Sequence, residues 1–163
     1  MSLIALRIAA FGVLLALAPP LYALGRVAAP GAADALSPLA RSVALTVDAF
    51  HAALRRGDTR SAAALLASDA LIFEGGGVER TKAEYASHHL AADAAFTQAV
   101  PAVLTRRAGY AIGTMAWIAS EGRTKGTYKG KPIDRVTAET MVLRRIGRDW
   151  KIVHIHWSSA AKP

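Results

Sequence analysis

The apolar residues of this chain are mostly spaced for helices before Pro101 and for strands after it, and that change limits the folds open to it. Before it, Leu39, Val43, Val47, Phe50 and Leu54 recur at helical spacing and define one apolar stripe. Ser37-Pro38 opens this helix, with Ser as N-cap and Pro at the first helical position. Gly57 stops it, and Asp58 caps a short alanine-rich helix through Leu65-Leu66. Asp69 to Glu74 reads as a strand ended by Gly75-Gly76-Gly77, which lacks the Lys-Ser/Thr of a phosphate loop. Thr81-Lys82-Ala83-Glu84 is a capping box for a third helix reaching about Phe96. Beyond Pro101 the pattern predicts strands near 100–108, 111–125, 133–146 and 150–158, with turns at Gly109, Gly130-Lys131-Pro132 and Gly147-Arg148. Helices followed by a meander imply an α+β fold, with helices covering one face of a curved antiparallel sheet.

The 163 residues suit one compact domain, and 53% hydrophobic with 20% charged residues excludes a disordered composition. Cysteine is absent, so neither disulfides nor thiolate chemistry is available. At the N-terminus Arg7 precedes the apolar run Ile8 to Ala18, then Pro19-Pro20 and the small residues of Ala23-Leu24-Gly25. This order predicts a secretory signal peptide over 1–25 and a periplasmic or secreted protein; an uncleaved membrane anchor is the alternative. Residues 26–36 read as a linker and 37–160 as the folded domain. The formal charge is +8, and nine of the 20 Lys and Arg lie between Arg123 and Lys151. No recognition motif accompanies them, so the expectation is a solvated basic hairpin, with no nucleic-acid partner and no membrane contact once the leader is cleaved.

Three segments taken in order resemble one family. They are Phe50-His51-Ala52-Ala53-Leu54-Arg55-Arg56-Gly57-Asp58, Gly126-Thr127-Tyr128-Lys129-Gly130-Lys131-Pro132-Ile133, and Glu139-Thr140-Met141-Val142-Leu143-Arg144-Arg145 running on through Trp150-Lys151-Ile152-Val153-His154. With them the chain, over roughly residues 38–160, resembles the SnoaL-like members of the nuclear-transport-factor-2-like (NTF2-like) superfamily, a group also labelled DUF4440. The resemblance implies a cone-shaped barrel whose helices and bent sheet enclose a pocket, commonly dimeric through the outer face of the sheet. Similar folds serve cyclases, isomerases, dehydratases and proteins that only bind or assemble, so fold alone does not assign a reaction. Catalytic members use a pocket Asp, and no residue here matches it by motif.

The residues themselves suggest a site. His154 and His156 stand two apart on the last strand and so share a face. If Gly147-Arg148 is a tight turn and the ladder stays regular, His154 opposes Met141 and His156 opposes Glu139. A Glu–His pair there would act as general acid and base, with His156, Glu139 and His154 as catalytic candidates. Tyr85, His88, His89, Trp117 and Tyr128 are candidate ligand contacts, and Asp93 stands one turn from His89. His51, near the apolar stripe, reads as a packed or surface histidine. His88, His89, His154, His156 and Glu74 form an alternative N/O metal site for a divalent ion, whereas the main reading requires no cofactor. Three functions follow as expectations: a small-molecule pocket with isomerase-, dehydratase- or cyclase-like chemistry, a metal-dependent protein, or a non-catalytic homodimeric module.

Overall fold

In the structure, a computed structural model, residues 36–162 are described; the expected leader and nearly all of the linker lie outside them. Four helices precede and interrupt a six-stranded sheet: α1 (Pro38–Arg55), α2 (Thr59–Leu65), β1 (Leu66–Glu74), β2 (Gly77–Glu79), α3 (Lys82–His88), α4 (Leu90–Ala99), β3 (Ala102–Ile112), β4 (Met115–Tyr128), β5 (Lys131–Ile146) and β6 (Asp149–Ala161). Strand order is β2-β1-β6-β5-β4-β3, and the curved sheet stays open at both edges. β1 runs parallel to β6, so the sheet is mixed rather than wholly antiparallel. None of the described helices is long and apolar enough to cross a membrane.

The helix starts follow the cap chemistry read from the sequence. Ser37 Oγ accepts from the Ala40 N–H at 3.3 Å, Asp58 Oδ1 from Ser61 at 3.0 Å, and Thr81 Oγ1 from Glu84 at 3.1 Å. Glu84 returns the bond to the Arg80 N–H at 2.7 Å. Gly57, at φ +70°, carries the chain out of α1 through a conformation that side chains disfavour.

Three sequence expectations are corrected. The third helix breaks at His89, whose backbone (φ −106°, ψ −29°) separates α3 from α4. Gly109 is no turn: it lies inside β3, opposite Ile118, and the β3–β4 reversal falls at Gly113-Thr114. A Cβ at Gly109 would stand 2.7 Å from Ile118 Cδ1 and 2.8 Å from the Trp117 carbonyl, so close packing explains this glycine. Gly75 and Gly76 turn β1 back into β2, a short strand that the sequence reading did not contain.

The sheet face under the helices is built in rungs. Gly109, Ile118, Met141, Ile155 and Ile72 are successive partners across β3, β4, β5, β6 and β1. Its four side chains are wholly buried and form the core with Val43, Val47, Phe50 and Leu54 of α1. Burying each such aliphatic side chain contributes roughly 1.5–3 kcal/mol. Two residues along each of these strands lies the next rung on this face: Arg107, Ser120, Glu139, Trp157 and Glu74. The chemistry sits on this polar rung, against an apolar floor.

Candidate active site

At the centre of the polar rung Glu139 is 9% exposed. Its Oε2 accepts from the Trp157 indole Nε1–H at 2.7 Å and meets His51 Nε2 of α1 at 2.8 Å. Its Oε1 is buried with no hydrogen-bond partner among the described residues. Burial pushes this carboxyl up, but His51, the Trp157 N–H and nearby Arg107 outweigh it and hold Glu139 below the ordinary carboxylate value. Glu139 is therefore an ionised, buried acceptor. Arg107 is itself fixed by Asp48 at 2.7 Å and by Ser120 Oγ at 3.1 Å.

Trp157 joins this carboxylate to a second acidic group. Its ring stacks on Phe50 (centroids 6.3 Å, interplanar angle 24°) and lies 6.4 Å from the ring of Tyr85. Tyr85, fully buried on α3, donates its hydroxyl to Asp93 Oδ2 of α4 at 2.6 Å. Burial raises Asp93 despite that hydrogen bond and the proximity of His89. Burial and the Asp93 charge raise Glu74, the last member of the rung. Burial, with Asp93 beside it, also drives the Tyr85 hydroxyl far above its usual value, so it acts as a donor. One carboxylate is thus pulled down and two are pushed up within one constellation, an arrangement that separates base from acid.

The sequence-derived constellation comes together only in part. Glu139 and Tyr85 lie on the helix-covered side as expected. His154 and His156 do not: they pair with Val142 and Thr140, while Glu139 pairs with Trp157. The turn was read correctly, since Ile146 faces Asp149, but Val153 is an extra residue between the Leu143–Ile152 and Val142–His154 pairs. This β-bulge shifts the ladder by one and puts both imidazoles on the opposite face. There they pack edge-on against Phe73, at 5.2 Å and 6.1 Å between centroids. His154 Nδ1 is 2.9 Å from the Leu71 carbonyl.

The remaining candidates are dispersed. His88 is exposed at the end of α3, and His89 pairs with the buried Glu79 of β2 rather than with Asp93 one turn on. Trp117 lies on the outer face, 44% exposed, and Tyr128 packs edge-on against Phe96. Among the described residues no three His, Asp or Glu side chains converge in a way that could hold a metal ion, so the five proposed ligands do not form one site. His51 was missed. Its signal was its place on α1 beside Phe50 in the apolar stripe, where a polar ring facing inward needs a buried partner.

Helices packed on an open, curved α+β sheet, with acidic groups between the two layers, define an NTF2-like protein. A SnoaL-like domain matches residues 43–162, and the chain belongs to that family. Among solved structures, a candidate ketosteroid isomerase from Shewanella frigidimarina NCIMB 400 is 40% identical, covering 70% of this chain and 92% of that one at a TM-score of 0.67. A candidate dehydratase of the NTF2-like family from Streptomyces avermitilis is 21% identical over 75% of this chain and 97% of that one (TM-score 0.64). A candidate calcium/calmodulin-dependent protein kinase II association domain from Xanthomonas campestris is 24% identical over 81% and 96%, with a TM-score of 0.63. The last two likenesses show the fold alone. No curated protein matches the sequence.

Proposed function

We propose that this chain is an exported, homodimeric protein that binds a small organic molecule between its helices and sheet and performs acid/base chemistry of the isomerase or dehydratase type. The observation that carries the reading is a pair of acidic groups joined through two neighbouring rings: Glu139, bonded to the Trp157 indole and held ionised, and Asp93, bonded to the Tyr85 hydroxyl and pushed toward its protonated form. Glu139 serves as base, oriented by His51 and the indole N–H. Asp93 holds the proton to be donated, and Tyr85 positions it. A neutral carboxyl that stabilises developing oxyanion charge, working with a separate ionised carboxylate, is an established solution for proton transfer next to a carbonyl. The name of the Shewanella relative supports a ketosteroid or similar ketone as the first substrate to try. Export rests on the Arg7-led apolar segment, which lies outside the described residues.

The test is turnover of a β,γ-unsaturated 3-ketosteroid to its conjugated isomer, followed by ultraviolet absorbance. Glu139→Gln and Asp93→Asn are each expected to lower kcat by about 10²-fold or more. His156→Gln is expected to leave kcat within about two-fold, because its ring projects from the other face. Full activity in both carboxyl variants, or loss in His156→Gln alone, overturns this assignment.

A further inference from the structure

Beyond Glu139 the helix side of the sheet continues for two more rungs. Across β4, β5 and β6 the nearer one holds Gly122, Thr137 and Ser159, and the farther one Thr124, Arg135 and Ala161. The end of α4 covers β4 here: Ala99 and Val100 stand 3.5 Å from the place a Gly126 Cβ would take, and Thr124 is buried. On β5 and β6, by contrast, Arg135, Ser159 and Ala161 are exposed. A shelf open to solvent thus lies next to the buried carboxylate. At Gly122 a Cβ would stand 2.9 Å from the Val103 carbonyl and 3.0 Å from Thr137 Oγ1, so a glycine keeps the shelf flat and leaves its hydroxyl in place.

The group at each end of this shelf is incomplete. Glu139 Oε1, at the inner end, is buried and has no hydrogen-bond partner among the described residues, although a buried carboxylate oxygen needs a donor. Arg135, at the outer end, donates its Nε–H to Ser159 Oγ at 3.0 Å and pairs with no carboxylate among the described residues. Ser159 belongs to the rung nearer Glu139, so this bond draws the guanidinium back along β5 toward the carboxylate. Neither rung holds an acid across β4, β5 and β6. The acids of the same strands, Glu121 and Asp134, lie on the other face and pair with Arg106 and Arg123. Arg107, the other guanidinium near Glu139, is already held by Asp48 and Ser120.

Resting on the role of Glu139 as base given above, we propose that the substrate is a small keto acid: its carboxylate lies on Arg135, and the proton-bearing carbon beside its carbonyl meets Glu139 Oε1. A planar carboxylate matches the two terminal nitrogens of a guanidinium. One such group suits a monoanion better than a phosphate dianion, since Lys131, the next basic residue on this side of β5, stands four residues further out. Neighbouring rungs are two residues, roughly 7 Å, apart, about the span of five carbon–carbon bonds. That spacing also keeps the charge of the substrate clear of the Glu139 charge, which would repel it at closer range.

Isothermal titration of the purified full chain with 6-oxoheptanoate and with its methyl ester tests this assignment, because the two probes differ in one charge. The keto acid is expected to bind about 10–100-fold more tightly than the ester. Arg135→Gln, a change at an exposed position, is expected to bring the keto acid to the affinity of the ester, whereas Lys131→Gln should shift it by no more than about two-fold. Equal affinities in the parent, or a preference that survives in Arg135→Gln, overturn the assignment, as does failure of either probe to bind. Inorganic phosphate that competes more strongly than the keto acid binds marks a phosphate site and overturns it too. Each of these outcomes leaves the acid/base reading standing if the neutral ketosteroid is still turned over and Glu139→Gln abolishes that turnover.

Discussion

The two faces of β5 and β6 put the same kinds of residue to opposite uses. On the helix side a carboxylate is buried, takes two ring N–H partners and stays ionised. On the far side two imidazoles pack edge-on against Phe73, with no acidic partner among the described residues. What separates them is one extra residue, Val153, since side chains alternate and a one-residue shift exchanges the faces. Chemistry is thus placed by ladder register rather than by nearness in sequence: Glu139 meets His51, 88 positions away, and not His156.

Measurements can break this contrast, beginning with the largest effect. Ile155→Ala, which empties a wholly buried site on the apolar rung, is expected to cost about 2–5 kcal/mol in denaturant unfolding. A loss below about 1 kcal/mol would mean that this face is not the core. Glu139→Gln should change the acid limb of stability. Its native carboxyl sits below the ordinary glutamate value, so it contributes stability that is present above that value and is lost as pH falls through the lower, folded one. Unfolding free energy measured from pH 6 down to about pH 2 should therefore decline less steeply in the variant. An unchanged slope would mean that Glu139 is not held ionised by its partners. Asp93→Asn has the opposite sign. Because burial raises this group, its ionisation weakens the folded state as pH rises through the folded value, and the amide removes that penalty. Its melting temperature at pH 7 is expected to match or exceed the parent's, an advantage that shrinks toward pH 4. The smallest effect belongs to His156→Gln, within about 0.5 kcal/mol for the isolated protomer.

Much of the fold was readable because its signals are local. The caps at Ser37, Asp58 and Thr81, the stripe from Val43 to Leu54 and the Gly147-Arg148 turn each depend on a few adjacent residues, and each stands as read, whereas Leu39, read as the first member of the stripe, is exposed. The SnoaL-like likeness rested on such segments in order, and the match over residues 43–162 bears it out. Reading failed where a distant partner decides. Gly109 has the composition of a turn, yet it holds β3 tightly against β4 because Ile118 and the Trp117 carbonyl press on it. The run from Lys82 to Ala99 carries no breaker, yet it divides at His89, whose ring goes to Glu79 on β2.

The candidate site shows the same division. The sequence alone determined the element types, the helix-then-strand order and the presence of Glu139, Tyr85 and Asp93, since propensity, capping and alternation act over a few residues. Tertiary structure alone decided that Asp93 receives the Tyr85 hydroxyl, that His51 holds Glu139, and that the C-terminal imidazoles face away. A bulge leaves no mark in an alternating pattern until the neighbouring strand sets the register. For the same reason, the charge state of a carboxyl is settled only when burial and its partners are in place.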